Sequence, residues 1–471
     1  MLSDASTDPS PAGIFSRRYR SLTTGMVVLA VLGAFEALAV TTAMPTISVE
    51  LDGLRLYALA FAAPLATGVL AMVLTGNWSD RSGPRVPLLT TVGLFAVGLL
   101  IAGFAPSMGV LVAGRVVQGF GGGMVVAMYV VVARIYPADL HPKVFAAFAA
   151  AWVVPSLVGP LAAGLVTEHL GWRWVFLGVA ALVVPALVLL VPSLRDPRLG
   201  RPAGGHAEPW QAGRIAAGAV VGAAVLVLHS VTNEANRFPL PLLVVSAVVA
   251  LLAAGWAIRR LVPAGTLRFR RGLPSVVAYR GLIGATYVSA EVYLPLMLTQ
   301  RFGLSPSAAG LVLTAGAITW SLTSWLQGQL GSKGPDVLLI RIGTSLLGSA
   351  VVMAISTAVW SLHPAVAIAS WGLAGAGMGL MYPRLSVLLL RYSDESAQGF
   401  NSAAGQIMEY TGMAVALAVT GAAFAVLVGS GGVAAFVAPF ALSLTLAVVA
   451  LLRAGRVDAP LPAARVDARV S

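Results

Sequence analysis

The chain has 471 residues, of which 58% are hydrophobic and only 10% are charged, and its mean hydropathy is +0.88. Soluble domains carry about 25% charged residues, so this composition excludes an ordinary soluble protein and indicates many membrane-spanning helices. The net charge of +12 comes from arginines scattered singly through loops, which argues against a nucleic-acid-binding patch. The chain has no cysteine, which excludes disulfides and thiol chemistry.

Fourteen apolar segments follow one another along the chain, and each has the length that a membrane-spanning helix needs. They are predicted at residues 22–43, 55–75, 86–105, 109–132, 144–167, 173–192, 213–231, 240–261, 275–298, 306–330, 338–360, 364–390, 397–428 and 433–453. Residues 1–21 are predicted to be disordered, and the first apolar run is expected to be an uncleaved span. The predicted fold class is therefore an all-α polytopic membrane protein.

Most of the arginines and lysines lie in loops on one side of this predicted bundle. Of the 30 in the chain, 23 lie in loops on the side of the N-terminus. The opposite side has only Arg55, Arg173, Arg237 and Arg301. Cytoplasmic loops are enriched in positive residues, and an even number of spans places both termini on one side. We therefore expect a multi-pass protein of the inner (plasma) membrane with both termini in the cytoplasm.

Two sequence features recur eight spans apart and indicate an internal duplication. The charged turn at residues 76–85 is echoed at residues 328–335, where a glycine or serine replaces the acid. A glycine-rich run at 119–123 in the fourth span is echoed at 375–379 in the twelfth. Such repeats are typical of transporters built from two similar halves, although glycine-rich membrane helices also resemble one another without duplication.

The duplication predicts two halves of six helices with an inserted pair between them. The N-terminal half comprises residues 22–192 and the C-terminal half residues 275–453. Residues 193–274 form a cytoplasmic linker with two additional transmembrane helices, and residues 454–471 form a cytoplasmic tail.

Charged side chains inside the spans are the candidate functional residues. Arg115 lies several residues inside the fourth span, where an ionisable group costs at least about 2.5–3.5 kcal/mol, so it should face a partner or a wet cavity. Gln118 lies on the same helix face, three residues further on. A purely structural role as a hydrogen-bond anchor is the alternative for Arg115.

Three carboxylates also lie within spans: Glu36 in the first, Glu291 in the ninth and Glu409 in the thirteenth. A carboxyl group at such depth can bind and release a proton, so Glu36 is the first candidate for proton coupling or cation recognition. Glu409 is the second candidate, and Glu291 is expected nearer the outer rim. Each acid has an alternative role as the structural ion-pair partner of an arginine within a span. These arginines are Arg115, Arg280 and Arg384.

Gly159 and Pro160 lie in the middle of the fifth span, and Gly164 follows them. Proline removes a helix hydrogen bond and kinks the helix, while glycine permits close packing, so a bend is predicted here. Pro155 adds a second weak point five residues earlier. A simple kink without a functional role is the alternative.

These motifs together resemble those of the major facilitator superfamily, and most closely its fourteen-span drug:proton antiporter branch. The turn at 76–85 is similar to the family's loop signature, although Pro84 stands where a basic residue is common. Residues 115–119 match the family's Arg-x-x-Gln-Gly pattern, and residues 155–164 resemble its antiporter motif. The resemblance covers about residues 20–455 and is weaker in the second half.

The resemblance implies a latch that holds the cytoplasmic faces of the two halves together. Its implied members are Gly76, Asp80, Arg81, Gly83, Arg85 and Arg134. Asp80 would follow the end of its helix and face the start of the thirteenth span near 396–398. Since the second turn lacks the acid, Asp80 should be less replaceable than Lys333. The alternative is that these residues merely fix the topology.

The resemblance also implies roles for the residues within the spans. Arg115 would influence the protonation of a nearby acid. The antiporter motif would bend the fifth span and seal the cavity against leaks. Its implied members are Pro155, Gly159, Pro160 and Gly164.

We therefore expect a proton-coupled secondary transporter, not an enzyme, that exports small hydrophobic or amphiphilic compounds by alternating access. No cofactor is expected besides the proton gradient, because the sequence has no phosphate-binding loop for ATP and no His/Cys metal cluster. The expected partners are the substrate, protons and membrane lipid, with no nucleic acid, and the protein should be monomeric. Two alternatives stay open: an exporter of a lipid or dedicated metabolite, and a membrane sensor that transports nothing.

Overall fold

The computed structural model describes residues 13–200, 209–233, 239–329, 335–394, 397–428 and 432–458. This part of the chain forms helices that we number α1 to α17 in chain order. They are α1 (Arg20–Glu50), α2 (Tyr57–Ser82), α3 (Arg85–Gly103), α4 (Met108–Gly119), α5 (Gly123–Ile135), α6 (His141–Ala150), α7 (Val153–His169), α8 (Arg173–Leu190), α9 (Ala212–Asn233), α10 (Leu240–Ile258), α11 (Leu273–Glu291), α12 (Tyr293–Phe302), α13 (Pro306–Gln329), α14 (Asp336–Trp360), α15 (Pro364–Arg391), α16 (Gln398–Leu427) and α17 (Ala434–Arg453).

Three predicted spans consist of two consecutive helices each: α4 with α5, α6 with α7, and α11 with α12. When these pairs are joined, the described residues contain 13 helices that are long and apolar enough to cross a membrane. The helix α10 contributes a shorter apolar stretch, Val244–Ile258. The predicted all-α polytopic fold is confirmed, and its predicted segments correspond one by one to these elements.

The helices on either side of the inserted pair pack into two groups. In the first group α1 packs on α7 and α8, and α4 packs on α2 and α3. In the second group α11 packs on α16 and α17, and α15 packs on α13 and α14. The groups meet along two seams, formed by α2 with α16 and by α7 with α13. The inserted pair, α9 and α10, lies against the first seam, where α9 contacts both α2 and α16.

Glycine allows the same close helix approach in both groups. A Cβ atom at Gly119 of α4 would lie 1.9 Å from the Thr67 hydroxyl oxygen of α2. At the corresponding place in the second group, a Cβ atom at Gly375 of α15 would lie 2.6 Å from the Thr319 hydroxyl oxygen of α13. Only glycine fits such contacts, which explains the two glycine-rich runs physically.

Both described chain ends, 13–19 and 454–458, lie at the end of the bundle that we call the terminal face; the opposite end is the distal face. Residues 13–19 fall within the segment predicted to be disordered, yet they form turns. Tyr19 is 4% exposed and stacks on Tyr136, with ring centroids 4.8 Å apart. The first residues of the described chain are therefore anchored on the end of α5. The predicted disorder of residues 1–12 and the predicted tail beyond residue 458 lie outside the described residues.

Candidate functional site

The first group of helices contains a buried ion pair between two predicted residues, Glu36 on α1 and Arg115 on α4. Arg115 Nη1 donates hydrogen bonds to Glu36 Oε1 and, at 2.8 Å, to Gln118 Oε1. Arg115 Nε donates to the carbonyl oxygen of Ala60 at 2.9 Å. The arginine and glutamate side chains are 6% and 7% exposed. These contacts supply the counter-charge and acceptors that a buried guanidinium requires.

A second buried ion pair lies in the other group, between Arg280 on α11 and Glu409 on α16. Arg280 Nη2 lies 2.8 Å from Glu409 Oε2 and donates a second hydrogen bond to the Tyr382 hydroxyl at 2.5 Å. The Tyr382 hydroxyl in turn donates to Glu409 Oε2 at 3.0 Å. The guanidinium carbon of Arg280 also lies 4.8 Å from the centre of the Tyr382 ring. The three side chains form a closed hydrogen-bonded network.

Two members of this network are not predicted as site residues from the sequence. Arg280 is considered there only as an alternative ion-pair partner, although its position about two turns into α11 signals the need for a partner. Nothing in the sequence assigns Tyr382 to the pair, because aromatic residues are common in membrane helices.

Tyr410 of α16 lies near the glutamates of both ion pairs. Its ring packs against α2, where a Cβ atom at Gly68 would lie 3.1 Å from Tyr410 Cδ2. Its hydroxyl is close enough to both Glu36 and Glu409 to feel their charges. One side chain thus links the charged centres of the two groups across the α2–α16 seam. The sequence gives no signal for this role.

The distal face is closed by aromatic side chains from both groups of helices. The Tyr57 hydroxyl of α2 donates to the carbonyl oxygen of Val292 at 2.7 Å, at the interruption between α11 and α12. The rings of Tyr57, Tyr293 and Phe424 lie together, with centroids 5.2–6.4 Å apart. All three side chains are fully buried or nearly so. They form a plug, which we call the distal plug.

Glu291, the third predicted acid, ends α11 beside the distal plug. It is half-buried and interacts with Tyr287, one helical turn earlier on the same helix. Among the described residues it takes part in no ion pair. The structure therefore separates Glu291 from the two charge pairs and places it beside the distal plug.

Small residues bring α7 and α13 together at the distal face. A Cβ atom at Gly164 would lie 2.4 Å from Ser307 Cα, and one at Gly310 would lie 3.0 Å from the Pro160 carbonyl oxygen. Glu168 Oε1 accepts a hydrogen bond from the Ser307 amide at 2.7 Å. Two of the predicted antiporter-motif residues thus lie at a seam between the groups.

The bend predicted at Gly159 and Pro160 lies elsewhere in the fifth span. The helix is interrupted at residues 151–152, between α6 and α7, and Pro160 lies within continuous α7. Pro155 explains this break, because its ring removes the hydrogen bond to the carbonyl of residue 151 and crowds it. Gly159 faces α1, where its Cβ would lie 3.6 Å from the Phe35 ring.

The predicted latch residues lie at the terminal face, and several of them hold the chain that follows α8. Gly83 caps α2 with φ +82°, and a Cβ atom there would lie 2.3 Å from the Gly200 carbonyl oxygen. Arg134 Nη1 donates to the same carbonyl at 3.0 Å, and its Nη2 donates to the Ser79 carbonyl at 3.3 Å. Gly83 therefore has both a backbone and a packing reason to be glycine.

The segment held by these residues contains its own ion pair. Arg198 Nη2 lies 2.7 Å from Asp196 Oδ2, and this hydrogen-bonded guanidinium lowers the pKa of the Asp196 carboxyl below its usual value. A Cβ atom at Gly76 would lie 3.6 Å from Val126 Cγ1 of α5, and the exposed Arg85 begins α3.

Asp80 differs from its predicted placement. It is an exposed residue in the last turn of α2, which continues to Ser82, rather than a residue beyond the helix end. Its described charged neighbour is Arg214 of α9, and the guanidinium of Arg214 lies 4.9 Å from the ring centre of Phe400 on α16. A residue of the inserted helix pair therefore stands between Asp80 and the start of α16, where direct contact is predicted. Residues 395–396 lie outside the described residues.

An acid follows directly after the second turn. Asp336, the first residue of α14, pairs with Arg384 at 3.0 Å and with Arg391 at 3.0 Å. The Arg384 side chain is only 1% exposed. The acid follows the Gly-Pro pair instead of preceding it, so comparison of the two turns position by position misses it. Lys333 lies outside the described residues.

Among the described residues, no group of three His, Asp or Glu side chains is arranged to bind a metal ion. The candidate site consists of two Arg–Glu pairs, their tyrosine neighbours and the contacts that close the distal face.

Comparisons with known proteins agree with this architecture. The family model described as Major Facilitator Superfamily matches residues 25–417. A probable multidrug-efflux transporter of Mycobacterium tuberculosis is 28% identical over 388 residues, which cover 77% of this chain and 78% of that protein. The multidrug efflux pump SdrM of Staphylococcus aureus is 23% identical over 380 residues, which cover 79% and 83% of the two chains.

Solved structures share the fold at lower identity. A POT family transporter in complex with 5-aminolevulinic acid has a TM-score of 0.67 and 14% identity, covering 92% of this chain and 96% of that chain. A human organic anion transporter has a TM-score of 0.62 and 15% identity, covering 92% and 99%. At these identities the likeness concerns the fold alone.

Proposed function

Because the chain belongs to the major facilitator superfamily, we propose that it exports small hydrophobic or amphiphilic compounds in exchange for protons. Family membership confirms the resemblance seen in the sequence motifs, and the multidrug-efflux relatives favour export of drug-like compounds. The observation that carries the proposal is the arrangement of two buried Arg–Glu pairs, one in each group of helices, with Tyr410 near both glutamates.

Alternating access follows from the two seams. The distal plug and the Gly164–Ser307 contact close the distal face in this structure. Rocking of one group of helices against the other would open these contacts and bring the terminal face together, as in transporters built from repeats. A substrate bound between the groups would then pass from one side of the membrane to the other.

Proton coupling rests on the charge balance of each pair. With Glu36 ionised, the Glu36–Arg115 pair is neutral as a unit. A proton on Glu36 would leave the guanidinium of Arg115 without its counter-charge in a buried site, which is strongly unfavourable. The protonated site therefore carries net positive charge and would disfavour a cationic substrate. Protonation of Glu409 would likewise leave Arg280 without its counter-charge. A proton and a cationic substrate would therefore exclude one another at either pair.

The placement in the membrane is part of the proposal. The arginine-rich loops at the terminal face favour a cytoplasmic location for both chain termini in the inner (plasma) membrane. The distal face would then open outward. We further propose that the monomer is the working unit, with lipid around it and no cofactor besides the proton gradient, because one chain supplies both halves, each with its own charge pair.

The proposal is tested by dye export from cells of an efflux-deficient host that express the protein. Export should stop when a protonophore removes the proton gradient. Glu36→Gln and Glu409→Gln should abolish coupled export, whereas Glu291→Gln should retain most of it. Asp139→Asn, a change at an exposed carboxylate outside the spans, serves as the matched control. Undiminished export in the presence of the protonophore would refute proton coupling.

The same strains also test the alternative that the cargo is a lipid. If no dye or drug is exported while the lipid composition of the membrane changes with expression, the cargo is a lipid and the proposed substrate class is wrong. If neither dyes, drugs nor lipids move, the transport proposal itself fails.

A further inference from the structure

The inserted helix α9 lies close along α2. Gly218 and Gly222 are four residues apart and share one face of α9. A Cβ atom at Gly218 would lie 3.3 Å from Leu70 Cα, and one at Gly222 would lie 3.0 Å from the Ala66 carbonyl oxygen. Glycines at this spacing allow two membrane helices to touch through their backbones. The helix α9 is therefore seated on the first group of helices.

The other side of α9 contacts the second group. A Cβ atom at Gly421 of α16 would lie 3.0 Å from His229 Cε1 of α9. Nearby, Ala224 and Leu228 of α9 pack with Ala418 of α16 in a small apolar cluster. Helix α9 thus touches both groups along the α2–α16 seam, where they must move relative to one another.

At the terminal face the contact between the groups passes through α9 itself. The Gln211 amide donates to Asn77 Oδ1 of α2 at 3.2 Å, and the Arg81 guanidinium lies 5.7 Å from the centre of the Trp210 ring. One helical turn further along α9, Arg214 lies near Asp80 of α2 and stacks on Phe400 of α16. Its side chain donates to Gln211 Oε1 at 2.9 Å, which orients the guanidinium.

We propose that Arg214 is a positioning residue of the transport cycle, which ties the end of α2 to the start of α16 and thereby stabilises the distal-closed state. The tie combines charge attraction to Asp80 with stacking of a cation on the Phe400 ring. When rocking brings the terminal face together, Arg214 must leave the space between Asp80 and Phe400, and the tie breaks. Loss of the tie therefore removes contacts that belong to the distal-closed state, and the distal face opens more often. This inference rests on the proposed alternating-access export and gives the inserted pair a role within it.

The absence of native cysteine allows a direct test. Ser307→Cys places one thiol at the α7–α13 seam on the distal face, next to Gly164. In purified protein in nanodiscs, without substrate, a membrane-impermeant thiol reagent should label this cysteine about two- to tenfold faster in Arg214→Gln than in the parent, as loss of a cation–π contact and its charge partner predicts. Arg214→Lys should restore most of the slow labelling.

The matched control is Arg260→Gln. Arg260 stacks on Trp256 at 4.3 Å in the same inserted pair, but that contact stays within α10 and the residues just after it. Asp80→Asn should speed labelling as well, and the Asp80→Asn/Arg214→Gln double variant should label no faster than the faster single variant. Equal labelling of Arg214→Gln and the parent would overturn the inference, and so would additive effects in the double variant.

Phe400→Leu removes the tie from the side of α16 and should reproduce the effect if Arg214→Gln does not fold. The labelling rate requires neither substrate nor a proton gradient. A negative result therefore overturns the tie without bearing on export, and a failure of the dye assay leaves the labelling result intact.

Discussion

Glu36 and Arg115 form their ion pair within one group of helices, so a rigid movement of that group against the other leaves the pair intact. The same holds for Arg280 and Glu409 in the second group. Proton binding must therefore act by breaking a pair locally, and its effect must then reach the seam. Tyr410 is the side chain placed to carry that effect, because it touches α2 and lies near both carboxylates.

Removing one partner of the Glu36–Arg115 pair should cost more stability than removing both. Breaking a buried pair leaves an uncompensated charge and costs about 3–5 kcal/mol, whereas replacing both partners is often close to neutral. We expect Arg115→Gln, and more so Glu36→Gln, to lower the melting temperature of the purified protein. The Glu36→Gln/Arg115→Gln double variant should recover most of the loss. If the two losses simply add, the pair is not energetically coupled.

Tyr410→Phe should weaken proton-driven export without lowering stability. The ring that packs against Gly68 remains, and only the hydroxyl near the two carboxylates is lost. We expect the proton-driven rate to fall several-fold while downhill substrate movement continues. Both rates can be measured in proteoliposomes with and without an imposed pH gradient.

The control for this prediction is Tyr129→Phe, which removes a tyrosine hydroxyl from α5 in the same assay. Tyr129 lies near Arg280 and the side chain of Gln406, whereas Tyr410 lies near Glu36 and Glu409. A proton-driven rate unchanged in Tyr410→Phe, or reduced equally in both variants, would contradict a linking role for Tyr410.

Asp336→Asn should lower the stability of the protein more than Asp80→Asn does. Asp80→Asn, in contrast, should reduce export by more than its small loss of stability explains. Asp336 neutralises Arg384, whose side chain is almost completely buried, and loss of that counter-charge costs about 3–5 kcal/mol. Asp80 is exposed, and exposed charge pairs contribute about 0–1 kcal/mol. Melting temperatures and dye export of both variants separate the two effects; equal melting temperatures would contradict the structural role of Asp336.

The fold, and the need of Arg115 for a partner or a wet cavity, follow from the sequence because each rests on a strong local constraint. Long apolar runs must span the membrane, and a buried arginine such as Arg115 must find a partner. The choice of partner for Glu409 depends on how α11, α15 and α16 are rotated, and rotation is set by packing that no single segment reveals. The pairing of Glu409 with Arg280 and Tyr382 is therefore visible only in the structure.

The location of the inserted helix pair is likewise not predictable from the sequence. Its helices have no copy elsewhere in the chain, so the repeat that orders the other twelve spans gives α9 no location.

The position of the helix break in the fifth span is also not fixed by the sequence. Both Pro155 and Pro160 can break a helix, and only the surrounding packing determines that the break lies at residues 151–152.

The distal plug yields the last prediction, because two of its tyrosines differ in one respect. The Tyr57 hydroxyl donates to the Val292 carbonyl across the two groups of helices, whereas the Tyr293 hydroxyl lies near the Thr420 side chain of its own group and makes no hydrogen bond across the groups among the described residues. Tyr57→Phe should therefore weaken the distal closure by about 1 kcal/mol, which corresponds to about a fivefold shift towards the distal-open state. Tyr293→Phe removes an equal volume at no such cost and should leave the equilibrium near that of the parent. Labelling of Ser307→Cys from the distal side measures both, and equal rates for the two variants would show that ring packing alone holds the plug closed.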